Sequence, residues 1–235
     1  CQGTVSNLGT PITDDNCSVA SVTNDGLGTY PLGNTTVTWT VTDGSGNVTT
    51  ATQTVTVVDE TDPVIVNLPS DITVSNDPGV CFAVVNWTEP TVTDNCTGAT
   101  ISQTNGIANG GNFPQGINIV EYTATDGSGN TVTATFEVTV NDTEDPVITP
   151  AADTTIAAND FCSAVNVVLD APAVGDNCGV LSVTNNAPTV YELGDTTVTS
   201  TVTDIHGNTS TATQLVTIAD STAPSISSPL PVTAY

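Results

Sequence analysis

From Thr131 to Val140 the chain alternates. Val132, Ala134, Phe136, Val138 and Val140 share one parity, while Thr131, Thr133, Thr135, Glu137 and Thr139 share the other. A period of two sends successive side chains to opposite faces, so this stretch predicts a strand with one buried and one wet face. The segment before it carries Val120, Tyr122 and Ala124 in the same way. That layer returns as Val37, Trp39, Val41 and as Val198, Ser200, Val202, where the third copy lacks the aromatic. Asp-Gly-Ser-Gly-Asn between the two segments reads as a hairpin, with glycines taking the positive φ values. No segment has convincing helical spacing. Strands are expected at Val64–Ser75, Val80–Trp87, Thr91–Asn95, Ala99–Thr104, near Ile107–Phe113, Ile117–Thr125 and Thr131–Val140.

The hairpin is one of several recurring signals. "TDGSGN" occurs at Thr42–Asn47 and Thr125–Asn130, and "TDIHGN" at Thr203–Asn208. Asp-Asn-Cys recurs at Asp15–Cys17, Asp94–Cys96 and Asp176–Cys178, each time after an earlier cysteine (Cys1, Cys81, Cys162). "YPLG", "FPQG" and "YELG" begin at Tyr30, Phe113 and Tyr191, and "DPVI" at Asp62 and Asp145 returns as "APSI" at Ala223. Signals in fixed order over a period near 80 residues mean tandem units. The expected boundaries are 1–59, lacking the opening segment of the others, then 60–141, 142–220, and 221–235 as the start of a further repeat. The whole reads as a window cut from a longer array. Seven short strands per unit predict an all-β chain of tandem immunoglobulin-like β-sandwich domains in an extended array.

Charge changes the picture. The chain has 25 Asp plus Glu, no Lys or Arg, and a formal net charge of −25. Nucleic acid and anionic membranes need basic counter-charges, so neither is an expected partner. No apolar run approaches the roughly 18 residues of a membrane span. Divalent cations are the favoured small partners. Catalysis finds little support: the one histidine, His206, sits in a hairpin turn, and adjacent Asp14 and Asp15 are not opposed across a cleft. The chain is read as not an enzyme. Trp39 and Trp87 fit a sandwich core better than a sugar platform.

Each repeat owns two cysteines, 16, 15 and 16 positions apart. The expected disulfides are therefore Cys1–Cys17, Cys81–Cys96 and Cys162–Cys178, each worth roughly 3 kcal/mol for a loop of this size. Metal ligation is the rival reading, with no CxxC pair to favour it, and Cys1-Gln2 as a lipoprotein anchor is a lesser one. Disulfides imply an oxidising, extracytoplasmic location.

With an opening "D…P.I", a "C…DNC" middle, a "V.YTATDGSGN" strand and hairpin and a closing "VTV", the pattern resembles the hyalin repeat (HYR) family. The second repeat matches from Asp62 to Val140; the third departs at Ile205-His206 and at Ala223. The resemblance implies an extracellular immunoglobulin-like module used in adhesion and surface structure. In bacteria of the Bacteroidetes type, it implies long arrays in giant surface proteins, including gliding adhesins exported by the type IX system.

The acids cluster where repeats meet, and Ca²⁺ takes six to eight oxygen ligands of this kind. The first junction is expected to offer Asp14 or Asp15, then Asp59, Glu60 and Asp62 from the linker, and Asp126. The second would offer Asp94, Asp142, Glu144, Asp145 and Asp204, while the last keeps only Asp220. The plainer reading is turn chemistry and solubility, and no EF-hand loop is present. The expectation is a structural stalk or filament segment of a cell-surface adhesin, disulfide-stapled and calcium-rigidified. Its expected partners are neighbouring repeats of the same chain, then a homo-polymer or a surface ligand. A glycan- or protein-binding module is the alternative.

Overall fold

The structure is a computed structural model that describes residues 1–232. Every regular element among them is a strand, and none is a helix long and apolar enough to cross a membrane. The first repeat contributes β1 (Gln2–Thr4), β2 (Val19–Asn24), β3 (Thr29–Pro31), β4 (Gly33–Asp43) and β5 (Val48–Val57). The second contributes β6 (Val64–Val66), β7 (Ile72–Ser75), β8 (Phe82–Val84), β9 (Thr91–Thr93), β10 (Thr100–Asn105), β11 (Asn112–Pro114), β12 (Gly116–Thr125) and β13 (Thr131–Asn141). The third contributes β14 (Val147–Thr149), β15 (Thr154–Ala157), β16 (Ser163–Val165), β17 (Ala173–Gly175), β18 (Val180–Asn185), β19 (Val190–Glu192), β20 (Gly194–Asp204) and β21 (Thr209–Ala219). The all-β, immunoglobulin-like sandwich expected from the alternation is what the chain adopts. One difference is local: the first long strand of a repeat breaks in two, β6 then β7, and β14 then β15.

The residues form two compact units. One comprises Cys1–Ile72, Val85–Gly111 and Ile117–Val138; the other comprises Thr73–Val84, Asn112–Gly116 and the chain from Thr139 onward. In the second unit, β15-β21-β20-β18 make one sheet, with β15 parallel to β21 and the other pairs antiparallel. β14 pairs with β17, and β16 with β19. Ala164, Tyr191, Val198, Val216 and Ile218 fill the core, and Ile156, Ala158, Val167 and Leu169 pack on it. Ile156 is the inward residue of β15, so that strand closes one side of the core.

In the first unit, β2-β4-β5 form a three-stranded sheet and β1 pairs with β3. Its core repeats the same types: Tyr30, Val37 and Val55, with Val5, Leu8 and Val57 against them. The same unit holds β6 paired antiparallel with β9, and β10 with β12. Trp39 is buried, and its Nε1 donates to Gln53 Oε1 at 2.9 Å. Half-buried Trp87 meets Phe136 edge-on at 5.2 Å and donates from Nε1 to Tyr122 Oη at 2.9 Å. Both tryptophans belong to the packing, as their positions in the alternation suggested. Burial, and then Glu89 accepting its hydroxyl, push the Tyr122 phenol above its usual range.

Candidate metal centres

The Asp-Gly-Ser-Gly-Asn hairpin builds a carboxylate pedestal from its own backbone. Asp126 Oδ1 accepts from the amides of Ser128, Gly129 and Asn130 at 2.9, 2.7 and 2.8 Å. Its Oδ2 accepts from Asn130 Nδ2 at 2.8 Å, and Gly129 takes φ +97 to close the turn. Asp204 is held the same way by His206 N, Asn208 N and Asn208 Nδ2 at 2.8, 2.9 and 2.7 Å. Burial pushes the Asp126 and Asp204 carboxyls up. The donated hydrogen bonds, led by the Asn130 and Asn208 side chains, outweigh it and hold both below the ordinary carboxylate range. Asp43 in the first hairpin is lowered chiefly by the Asn47 side chain.

A second aspartate comes from Asp-Asn-Cys. Asp94 Oδ2 accepts Cys96 N at 2.7 Å, and Asp176 Oδ2 accepts Cys178 N at 2.7 Å and Gly179 N at 2.8 Å. These short-range turns occupy one oxygen of each carboxylate and leave Oδ1 without a donor. The third aspartate is a linker residue, Asp59 or Asp142. Asn130 Nδ2 reaches back to the Asp59 carbonyl at 3.1 Å, and Asn208 Nδ2 to the Asp142 carbonyl at 3.4 Å, so hairpin and linker are tied.

The result is two triads. Asp59, Asp94 and Asp126 each bring an oxygen within 4.8 Å of the other two, and so do Asp142, Asp176 and Asp204. Two like charges about 5 Å apart cost about 3 kcal/mol at an effective dielectric near 20, and no Lys or Arg exists to offset that. Asp59 Oδ2, Asp94 Oδ1 and Asp176 Oδ1 are buried and accept no hydrogen bond. Buried oxygens without donors are costly, and a hard cation with oxygen ligands satisfies them. The donor set therefore fits Ca²⁺.

The structure redistributes the expected ligands. Asp94 was expected with Asp142 and Asp204, but it joins Asp59 and Asp126. The reason is register: β9 runs antiparallel to β6 with Val64 opposite Thr93, so the end of β9 returns to the linker where β6 begins. Val147 opposite Gly175 does the same for Asp176, a residue left out of the expected set although Asp-Asn-Cys marks it as the counterpart of Asp94. Glu60, Asp62 and Asp145 are exposed and outside both triads. Glu144 instead accepts Gly79 N at 2.7 Å. Asp14 and Asp15 are not with Asp59 or Asp126; they line a cleft with Asp43 and Asn47 in the first repeat.

The expected disulfide pairing is overturned. The bonds are Cys1–Cys96 and Cys81–Cys178, while Cys17 and Cys162 are free and exposed. The same register explains it. The Asp-Asn-Cys cysteine lies beside the linker at the start of its own repeat, so it meets the leading cysteine of the preceding repeat, and Cys1, Asp59 and Cys96 cluster. Bonds spanning 95 and 97 positions replace short local loops, and the chain-entropy contribution rises from about 3 to about 4.7 kcal/mol each.

Comparison with known proteins adds to this geometry. Residues 58–140 match the HYR domain model. Hyalin of Lytechinus variegatus is 37% identical over 211 residues, 85% of this chain and 40% of hyalin. The serine-rich adhesin for platelets of Staphylococcus aureus (strain USA300) is 34% identical over 160 residues, 63% of this chain and 7% of that protein. The chain thus spans less than half the length of these relatives. Among solved structures, protocadherin gammaB7 EC3-6 superposes with TM-score 0.35 at 15% identity, covering 87% of this chain and 67% of that one.

Proposed function

From a chain whose residues 58–140 match the HYR domain model, we propose an extracellular, adhesion-related structural segment whose repeats are joined by disulfides and whose linkers are each tied to the following repeat by a calcium-filled carboxylate triad. The observation that carries the calcium reading is the set of buried, donorless oxygens on Asp59, Asp94 and Asp176 inside all-aspartate clusters. Asp59, Asp94 and Asp126 would hold one ion and Asp142, Asp176 and Asp204 another. The ion supplies the positive charge that the composition withholds. Each triad draws on the linker, the Asp-Asn-Cys turn and the hairpin aspartate (Asp126 or Asp204), so an ion there ties the linker to the repeat that follows it.

Support for the extracellular adhesive role comes from two disulfides that each join one repeat to the next and from the likeness to hyalin and to an adhesin. The divisions at 59, 141 and 220 are read as domain boundaries, and the role as that of a stalk or filament holding other parts at a distance. Calorimetric titration of the intact chain with Ca²⁺ tests the metal reading. Two sites are expected, one lost in Asp126→Asn and the other in Asp204→Asn. Heat of dilution alone from the parent chain would refute it.

A further inference from the structure

We propose that pulling force and covalent continuity along residues 1–178 run through the two disulfides and the segment Cys81–Cys96 between them, bypassing both linkers. The inference rests on the structural-segment reading and not on calcium.

The two bonds interlock. Cys1–Cys96 closes one ring and Cys81–Cys178 another, and the rings share only residues 81–96. Asp59 in one linker and Asp142 in the other therefore lie on the long arms of their rings. At about 3.5 Å per extended residue, the backbone from Cys1 to Cys178 reaches about 620 Å. The route across both bonds crosses 15 positions and two Cα–Cα steps of 4.8 Å, and is taut at about 60 Å. The short arms tighten first, and everything on the long arms stays slack. Cys1 and Cys96 belong to the first compact unit and Cys81 and Cys178 to the second, and the shared segment changes unit between Val84 and Val85.

That segment is anchored in the second repeat. Ala83 and Val85 are buried, β8 pairs with β11, and β9 pairs with β6. Between β8 and β9, Asn109 grips Trp87 as a neighbouring strand would. Its Oδ1 accepts Trp87 N at 3.0 Å, and its Nδ2 donates to Trp87 O at 2.8 Å. The segment contains one proline, Pro90, and no glycine. The β12–β13 hairpin, held by hydrogen bonds that yield long before a covalent bond does, lies off the load path. A single backbone cut in either linker leaves the pieces covalently joined, so the segment resists stretching and tolerates damage at its most exposed peptide bonds.

Three Asp-Pro bonds provide the test: Asp62–Pro63, Asp77–Pro78 and Asp145–Pro146. Formic acid hydrolyses such bonds selectively, adding one water per cut, while disulfide exchange, which needs a thiolate, stops in acid. With the free thiols first blocked by iodoacetamide, fragments 1–62, 78–145 and 146–235 are expected to run as one species on non-reducing gels. Only 63–77 is released, and reductant then separates the three. Any of the three running free before reduction would overturn the proposal.

Force is read with optical-tweezer handles on the two ends of the uncut chain. The unfolded chain is expected to be taut at about 260 Å before reductant and about 820 Å after it, roughly threefold longer. Cys81→Ser with Cys178→Ser should already reach about 490 Å without reductant. A parent chain that reaches 490 Å or more before reductant would overturn the load path. Calcium titration of the uncut chain reports separately on the proposed function. Fragments that separate beside an intact calcium response refute the bypass alone, and joined fragments without a calcium response uphold the bypass and refute the triads.

Discussion

The Asp59–Asp94–Asp126 and Asp142–Asp176–Asp204 triads use the same three places of the repeat, yet their third hairpin residue differs. Ser128 stands in one and His206 in the other. The pedestal survives the exchange because it is made of backbone amides and an asparagine side chain, which Gly127→Ile205 and Ser128→His206 changes do not touch. What changes is the linker carboxylate. Asp142 Oδ2 lies 2.9 Å from His206 Nδ1, whereas Asp59 Oδ2 is buried with no donor. One triad is purely acidic; the other is partly satisfied by its own chain. The lesson is that a hairpin can hold the position of an acid constant while a neighbouring side chain tunes how much that acid needs a cation.

The largest effect expected is that of calcium itself. At about a hundred times the dissociation constant each ion adds about 2.7 kcal/mol, which for a domain of this size raises Tm by about 10–20 °C over chelator. Scanning calorimetry should show Asp126→Asn losing only the share of the first triad and Asp204→Asn only that of the second. A common loss in both variants would break the comparison.

Next come the crosslinks. Iodoacetamide should label two thiols without reductant and six after reduction, read by intact mass. Replacing Cys81 and Cys178 together by Ser should cost about 2–5 kcal/mol in denaturant unfolding, seen in the second unit.

The histidine sharpens the contrast more finely. His206→Ser removes the competing contact on Asp142, worth about 1 kcal/mol, and should tighten calcium at the second triad about fivefold without moving the first. Calorimetric titration that finds no change would mean the imidazole is a bystander.

Acid should produce the smallest effect. Asp126 and Asp204 have folded-state values below the unfolded value of about 3.9, as does Asp43. Their stabilisation is present above about pH 4 and is lost as pH falls through the lower folded values. In chelator, the Asp126→Asn, Asp204→Asn double variant should lose stability less steeply below pH 4 than the parent.

Much of this molecule is legible along the chain. Alternation located β12 and β13 almost to the residue, the repeated hairpin located Asp43, Asp126 and Asp204, and the layer of Val37, Val120 and Val198 is fully or nearly fully buried. The expectation that places Asp94 at the second junction fails, because the opening strand splits and its first part pairs with β9. That one pairing carries Asp94 and Cys96 to the linker before their own repeat, beside Asp59 and Cys1.

Local chemistry is what the sequence by itself determined: strand period, hairpin turns, and the Asx turns that present an aspartate and a cysteine side by side, all interactions spanning a few residues. Only the tertiary structure decided which carboxylates share a triad and which cysteines bond. Those choices depend on strand pairings dozens of residues apart, and a pattern identical in every repeat carries no mark of which copy its partner belongs to.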